Sequence, residues 1–277
     1  MNPTDLLNQF PELCNYRGAR FLVKYGGAAM EREDVRAAVC AEVAALAQIG
    51  LEIIVVHGGG KEISRLLERL GVTPVFADGL RVTDSAAMVA TEMVLSGSIN
   101  KDLVSRISRF GSPALGISGR DGRLLTAKKL YGANGVDLGL TGEVDAVHPG
   151  SVEAILSAGF VPVISPVGET HDGQPLNLNA DYAAAALAGA LRVSRCVFLT
   201  DVAGVKKNGA ILPQLPADEV EALIAEGTIS GGMIPKVQCA VRALGAGCPS
   251  AVICEAGTPH ILSSVISGAT AVGTQLV

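Results

Sequence analysis

Two lysines in this 277-residue sequence stand where a charge needs a reason. Lys24 closes the apolar run FLVKY and is followed by Gly26 and Gly27. Lys236 comes just after Gly231, Gly232 and Pro235, in the first turn of a helical pattern. Glycines let a backbone approach a ligand, and free amides at a helix N-terminus bind phosphate or carboxylate. A cation in that first turn opposes the helix macrodipole unless an anion joins it. Cations and amides gathered at one point could hold an anion. For Lys24 the alternative is the solvent-facing end of a strand, and for the glycines a plain turn.

Other residues could share such a site. HGGGKEI (57–63) repeats the pattern of an apolar run ending in glycines, here Gly58 and Gly59. Arg81 in GLRVTD sits among apolar neighbours after a glycine, as either a carboxylate clamp or a surface arginine on a loop. NLNAD puts Asn177, Asn179 and Asp181 just ahead of an alanine-rich helical run, where Asp181 is a binding group or the helix N-cap. Thr200 and Asp201 end another apolar run, and a turn follows. GxxxxGK[ST] and GxGxxG are both absent, so a Walker ATPase and a dinucleotide-binding dehydrogenase lose ground. His148 and His171 read as solvated loop residues, His57 as a brace for the glycine loop, and His260 as the start of a helix after Pro259.

The elements that must carry these residues alternate. FLVKY, LEIIVVH (51–57), SPALGIS (112–118), FVPVISP (160–166), RCVFLT (195–200) and SAVICE (250–255) read as strands. Residues 32–48, 61–70, 180–191 and 235–244 carry helical periodicity. The order implies an α/β fold, a mainly parallel sheet sandwiched by helices. RLLTAKKL and VDLGLTGEVDAV break the rhythm and read as a hairpin at the edge of the core. A soft boundary near HDGQP divides an N-terminal extension (1–19) and lobe (20–175) from a C-terminal lobe (176–277).

Composition sets outer limits. The sequence is 49% hydrophobic, has 4% aromatic residues and no Trp, and fits a core of small aliphatic side chains. A net charge of −5 argues against a nucleic-acid binder. The six cysteines are scattered without CxxC or zinc spacing, which points to a reducing compartment. The first residues lack the pattern of a signal peptide, and no apolar run is long enough to span a bilayer, so the chain reads as soluble and cytoplasmic.

Taken in order, KYGG, HGGGKEI, GLRVTD, NLNAD, LTDVAGV and GGMIPK resemble the amino acid kinase family, from about residue 20 to the end of the sequence. GLRVTD with NLNAD points within it to the branch that phosphorylates N-acetyl-L-glutamate in arginine biosynthesis. The resemblance implies an open three-layer α/β/α sandwich with the acceptor over the N-terminal lobe and ATP, carried with Mg²⁺, over the C-terminal lobe. It implies that Lys24 and Lys236 flank the transferred phosphoryl group and that Asp181 orients both lysines. Gly26 and Gly27 would hold phosphates, and Gly58 and Gly59 the acylated amino acid. Arg81 and Asn177 would grip its carboxylate and amide ends, with Thr200 and Asp201 at the start of the nucleotide loop. Rival readings are a kinase for carrier-bound aminoadipate, a non-catalytic acetylglutamate or arginine sensor, and an NAD-linked oxidoreductase.

The N-terminal stretch places Leu6, Leu7, Phe10 and Leu13 near one helical face, interrupted at Pro11. It resembles the helix that joins homodimers into a homohexamer in arginine-inhibited members of this branch; a floppy tail is the alternative. Pro259-His260 matches their effector element, which implies L-arginine as an effector. SGATAVGTQLV (267–277) carries no acidic residue to meet a guanidinium, which weakens that implication.

Overall fold

The structure is a computed structural model that describes residues 2–77, 79–268 and 272–277. The chain opens with helix α1 (Pro3–Gln9), followed by a 3₁₀ turn over Pro11–Tyr16. Strand β1 (Arg20–Tyr25), α2 (Glu33–Gln48), β2 (Glu52–His57) and α3 (Gly60–Arg69) form two consecutive strand–helix units. A hairpin of β3 (Val75–Ala77) and β4 (Leu80–Val82) leads into α4 (Ser85–Glu92), a wide i→i+5 turn over Met93–Ile99, and α5 (Asn100–Arg109). Then follow β5 (Ala114–Ser118), β6 (Leu125–Tyr131), β7 (Asp137–Val147), α6 (Gly150–Ser157), β8 (Val161–Ser165), β9 (Val167–Glu169) and β10 (Pro175–Leu178). The remainder carries α7 (Ala180–Ala190), β11 (Arg195–Thr200), β12 (Lys206–Lys207), β13 (Ala210–Ile211) and β14 (Gln214–Leu215). It ends with α8 (Val220–Ala225), α9 (Met233–Gly245), β15 (Ala251–Glu255), α10 (Ile261–Ser267) and β16 (Thr274–Leu276).

Among the described residues the main sheet has eight strands in the order β14-β16-β15-β11-β1-β2-β8-β5. From β15 to β5 each neighbouring pair is parallel, and β16 runs antiparallel to β15. The strand ends that carry Gly26, Gly58 and Asp201 therefore lie along one edge, the edge where open parallel sheets receive ligands. Side chains of β1 alternate between faces as the pleat requires. Phe21, Val23 and Tyr25 pack into the core layer shared with α2 and α10, and Leu22 into the layer shared with α7 and α9. Lys24 follows Leu22 by two residues and so leans toward α7 and α9. This is the expected three-layer α/β/α arrangement.

Two sequence expectations change in detail. The hairpin β6–β7 forms, but β9 and β10 close it into a small barrel, so it does not lie flat as an edge. β10 straddles the boundary expected near residue 175 and pairs with β7 and β9. The N-terminal stretch is packed: Leu6, Phe10 and Leu13 are buried in the main core beside α2 and α10. Pro11, which has no N–H to donate, marks the change from α-helix to 3₁₀ turn. Residues 269–271 of the C-terminal stretch lie outside the described residues. No helix among the described residues is long and apolar enough to cross a membrane.

Candidate active site

Lys24 Nζ lies 2.9 Å from Asp181 Oδ1, with only 12% of the lysine side chain exposed. The absence of a side chain at Gly26 makes this possible. A Cβ built there would stand 2.8 Å from Lys24 Nζ and push the amine aside. Gly27 follows in the left-handed region, at φ +74°, where a side chain would be strained. Asp181 stands in the first turn of α7, but the cap is Asn179, whose Oδ1 accepts from Asp181 N at 2.8 Å and from Tyr182 N at 3.2 Å. The N-cap alternative for Asp181 is thereby corrected. With the cap supplied two residues earlier, its carboxylate is left to meet the lysine.

Lys236 stands in the first turn of α9 and is paired with Asp201, at 3.2 Å, and not with Asp181. The expectation that Asp181 orients both lysines is met here only for Lys24, because the end of β11 brings Asp201 to Lys236. Thr200 Oγ1 also donates to Asp201 Oδ1 at 2.9 Å. That hydrogen bond first, and Lys236 after it, hold the Asp201 carboxyl below the usual carboxylate range. The anion that the position of Lys236 calls for is present in the chain itself.

Arg81 is not a surface loop residue. It lies on β4 with 7% exposure, its guanidinium 4.7 Å above the Phe76 ring across the hairpin. One terminal nitrogen, Nη2, donates to Gly60 O at 2.8 Å and Ser64 Oγ at 2.9 Å, while the buried Nη1 has no partner among the described residues. Burial lowers its pKa, so the fold bears a cost for keeping this cation. An unanswered guanidinium donor beside a cleft calls for an anionic acceptor.

Asn177 on β10 is opposite Thr141 on β7. Its Nδ2 donates to Thr83 Oγ1 at 3.1 Å, Thr83 and Thr141 hydroxyls meet at 2.8 Å, and Thr141 donates to Arg81 O at 2.5 Å. This line of donors fixes the Asn177 amide with its nitrogen toward Thr83, which leaves Oδ1 as an acceptor for a ligand. Thr83 and Thr141 were not singled out in the sequence. The register between β7 and β10, some 36 residues apart in the chain, has no local signature.

Two cavities meet here. A cleft of ≈ 330 Å³ is bounded by Gly58, Gly59, Arg81, Asn177, Thr141 and the apolar Phe76, Leu80 and Leu95. A smaller one of ≈ 50 Å³ is bounded by Gly26, Phe198, Leu199, Thr200 and Asp201. Lys24, Gly27, Asp181 and Lys236 line both. The sequence-derived residues are thus brought to one place, the lysines on the shared wall. The arrangement can hold an anionic molecule on one side, a second anion on the other, and stabilise charge between them.

The Amino acid kinase family model matches residues 19–255. Acetylglutamate kinase from Kosmotoga olearia is 41% identical over 273 residues, covering 98% of this chain and 95% of that protein. Acetylglutamate kinase from Acidiphilium cryptum is 46% identical over 260 residues, covering 90% and 87%. Among solved structures, N-acetylglutamate synthase from Neisseria gonorrhoeae complexed with coenzyme A and N-acetyl-glutamate matches with a TM-score of 0.86 at 22% identity. That match covers 99% of this chain and 63% of the synthase chain. Carbamate kinase from Giardia lamblia bound to AMP-PNP matches with a TM-score of 0.67 at 17% identity, covering 94% and 98%. At these identities the solved structures speak for the fold alone.

Proposed function

This chain belongs to the amino acid kinase family, and we propose that it phosphorylates the side-chain carboxylate of N-acetyl-L-glutamate with ATP, in arginine biosynthesis. The observation that carries this reading is the shared wall: Lys24, Gly27, Asp181 and Lys236 border both cavities. A carboxylate oxygen attacks the γ-phosphorus, the bond to the β–γ bridging oxygen breaks, and ADP leaves with the electron pair. The acceptor is already ionised near neutral pH, so no general base is needed. Repulsion between two anions is the obstacle, and the two lysines offset it. Asp181 holds Lys24 in place, and Gly26 and Gly27 let the phosphates approach. Arg81 takes a carboxylate of the acceptor, Asn177 Oδ1 takes its amide N–H, and Gly58 and Gly59 line its bed. Thr200 and Asp201 begin the nucleotide wall.

Mg²⁺ enters with the nucleotide. Among the described residues no group of three or more metal-binding side chains comes together. The carboxylates nearest the shared wall, Asp181 and Asp201, are both paired with lysine. That suits a cation held mainly by phosphates and water, which would neutralise phosphate charge when bound.

In this assignment residues 20–175 form the acceptor lobe and 176–277 the nucleotide lobe, with 1–19 an extension. The compartment is a reducing cytoplasm, in keeping with free thiols of which all but Cys14 are buried. The test is ADP release with N-acetyl-L-glutamate, glutamate, aspartate and aminoadipate as acceptors. Turnover with acetylglutamate and little with the others is expected. Preference for aminoadipate would move the assignment to lysine biosynthesis, and acetylglutamate binding without turnover would make the chain a sensor.

For assembly we propose a homodimer joined into a homohexamer through α1, with L-arginine as effector. Leu6, Phe10 and Leu13 serve this chain's own core, each worth ~1.5–3 kcal/mol, so deleting the segment would unsettle the fold as well as any assembly. Light scattering together with melting temperature, on the whole chain and on Leu7→Asp, a change at a position only partly buried against that core, separates the two. A hexamer that falls to a dimer supports the reading, and a dimer in both cases overturns it.

A further inference from the structure

His57 ends β2 immediately before the glycines that line the larger cleft, and none of its surface is exposed. A wholly buried imidazole needs partners for both ring nitrogens. Nδ1 lies 2.9 Å from Gly58 O, and because a carbonyl only accepts, Nδ1 carries the proton. Nε2 is then an acceptor. Asn100 Nδ2 stands 3.2 Å from it, and its two hydrogens serve Val163 O at 2.9 Å, this ring nitrogen, and more distantly Ile117 O at 3.4 Å. Lys101 Nζ donates to Asn100 Oδ1 at 3.0 Å, which fixes the orientation of the amide. The donor chain thus fixes a single tautomer.

The wide turn over Met93–Ile99 puts Asn100 there. Ile99, Asn100 and Leu103 are buried where this wide turn passes into α5. The same turn lays Leu95 and Ile99 against Gly59, where a Cβ would collide with both.

We propose that His57, locked by Asn100 as its Nδ1–H tautomer, is a positioning residue that turns the Gly58–Gly59 peptide toward the acceptor. The peptide is trans, so its C=O and N–H point in opposite directions. With the Gly58 carbonyl drawn to the buried imidazole, the Gly59 N–H faces the cleft, where no group among the described residues accepts it. The acceptor supplies the missing oxygen. Burial also lowers the His57 pKa to about 4, so the ring stays neutral and the tautomer persists through ordinary working pH. This inference rests on the reading that the acceptor lies against Gly58 and Gly59.

The test compares the unchanged protein with His57→Leu and His57→Asn, varying each substrate in turn. Asparagine carries a donor on its γ-carbon where imidazole carries Nδ1, and leucine carries none. His57→Leu should raise the KM for the amino-acid substrate roughly tenfold, about one hydrogen bond, and leave the KM for ATP within about twofold. His57→Asn should recover most of the loss. Equal KM values in all three overturn the proposal, as does a loss in both variants that follows melting temperature alone. If His57→Leu does not fold, ¹⁵N spectra of the unchanged protein decide. A single Nδ1–H form from about pH 5.5 to about pH 8 is expected, and an Nε2–H form or a titration in that interval overturns the proposal. Absence of turnover in the unchanged protein would count against the assigned reaction and leave the tautomer measurement standing.

Discussion

On the side of Lys24 assigned to the acceptor, polar groups are buried and bonded in series: Asn177 to Thr83 to Thr141 to the Arg81 carbonyl, and Asn100 to His57 to Gly58. On the side assigned to the nucleotide, Asp201 is 53% exposed and Lys236 30%, and what holds them is one ion pair and one hydroxyl. The first wall is fixed before a ligand arrives. The second can rearrange at little cost, since exposed ion pairs are worth ~0–1 kcal/mol. A site built this way discriminates among acceptors by rigid complementarity and meets a common nucleotide with groups free to follow the phosphate. Rigid polar walls reject the wrong substrate because they leave buried groups unpaired.

The largest effect should come where the walls join. Lys24→Ala and Lys236→Ala should each lower kcat by roughly 10²–10³, the usual loss for one group that stabilises transition-state charge. Turnover close to normal in purified Lys236→Ala would remove it from the transfer. Melting temperature should hardly move for Lys236→Ala, which lies on the loose wall. It should fall for Lys24→Ala, because Asp181 is then left half-buried without its cation.

The rigid wall also predicts a pH response. The folded His57 has a pKa of about 4, while the unfolded imidazole titrates near ~6.5. Between those values the unfolded chain binds more protons, so folding loses stability as pH falls through that interval. The contribution is complete above pH ~6.5 and amounts to at most ~3 kcal/mol. Denaturant midpoints measured from pH 7 to about pH 4 should drop less steeply for His57→Asn than for the unchanged protein. Identical slopes would mean that His57 titrates normally and that this wall is not the dry, fixed one described.

Arg81→Lys probes the same wall at its charged end. An ammonium cannot serve Gly60, Ser64 and a ligand carboxylate with one planar fork. The KM for the amino-acid substrate should rise by about tenfold or more with the KM for ATP nearly unchanged. A shift in the ATP value would place Arg81 on the wrong wall.

How far the sequence discloses these walls follows the same division. The strand ends and their glycines were legible because a short β-branched run that leads into paired glycines twice in one chain is a consistent signal, and β1 and β2 lie where those runs stand. The charged residues of the transfer wall were legible because Lys236 conflicts with its helix dipole. The acceptor wall was less so. Arg81 read equally well as a surface residue, since its burial depends on Phe76 across the hairpin and on Gly60 and Ser64 in the first turns of α3. Thr141 gains its place from pairing with a strand far along the chain. The i→i+5 turn before Asn100 leaves no mark in the periodic pattern, since Leu95, Ile99 and Leu103 keep ordinary helical spacing across it. The cap of α7 was within reach of the sequence, since Asn179 is as good an N-cap as Asp181 and stands two residues earlier.

The smallest predicted effect is the most direct measure of the difference between the walls. Asp201→Asn removes a charge but keeps an oxygen that can accept from Thr200 and from Lys236, which lie 2.9 and 3.2 Å away. What is lost is the Coulombic part of an exposed pair, ~0.2–1 kcal/mol, or a factor of about 1.5 to 5 in whatever equilibrium depends on it. The KM for ATP should therefore shift by no more than a few-fold, while the acceptor KM and the melting temperature stay where they are. High salt should narrow even that difference, since screening already weakens the pair in the unchanged protein. If Asp201→Asn instead lowered kcat a hundredfold, the pair would have to hold Lys236 as firmly as Asp181 holds Lys24. The nucleotide wall would then be as fixed as the acceptor wall, and the contrast drawn between them would fail.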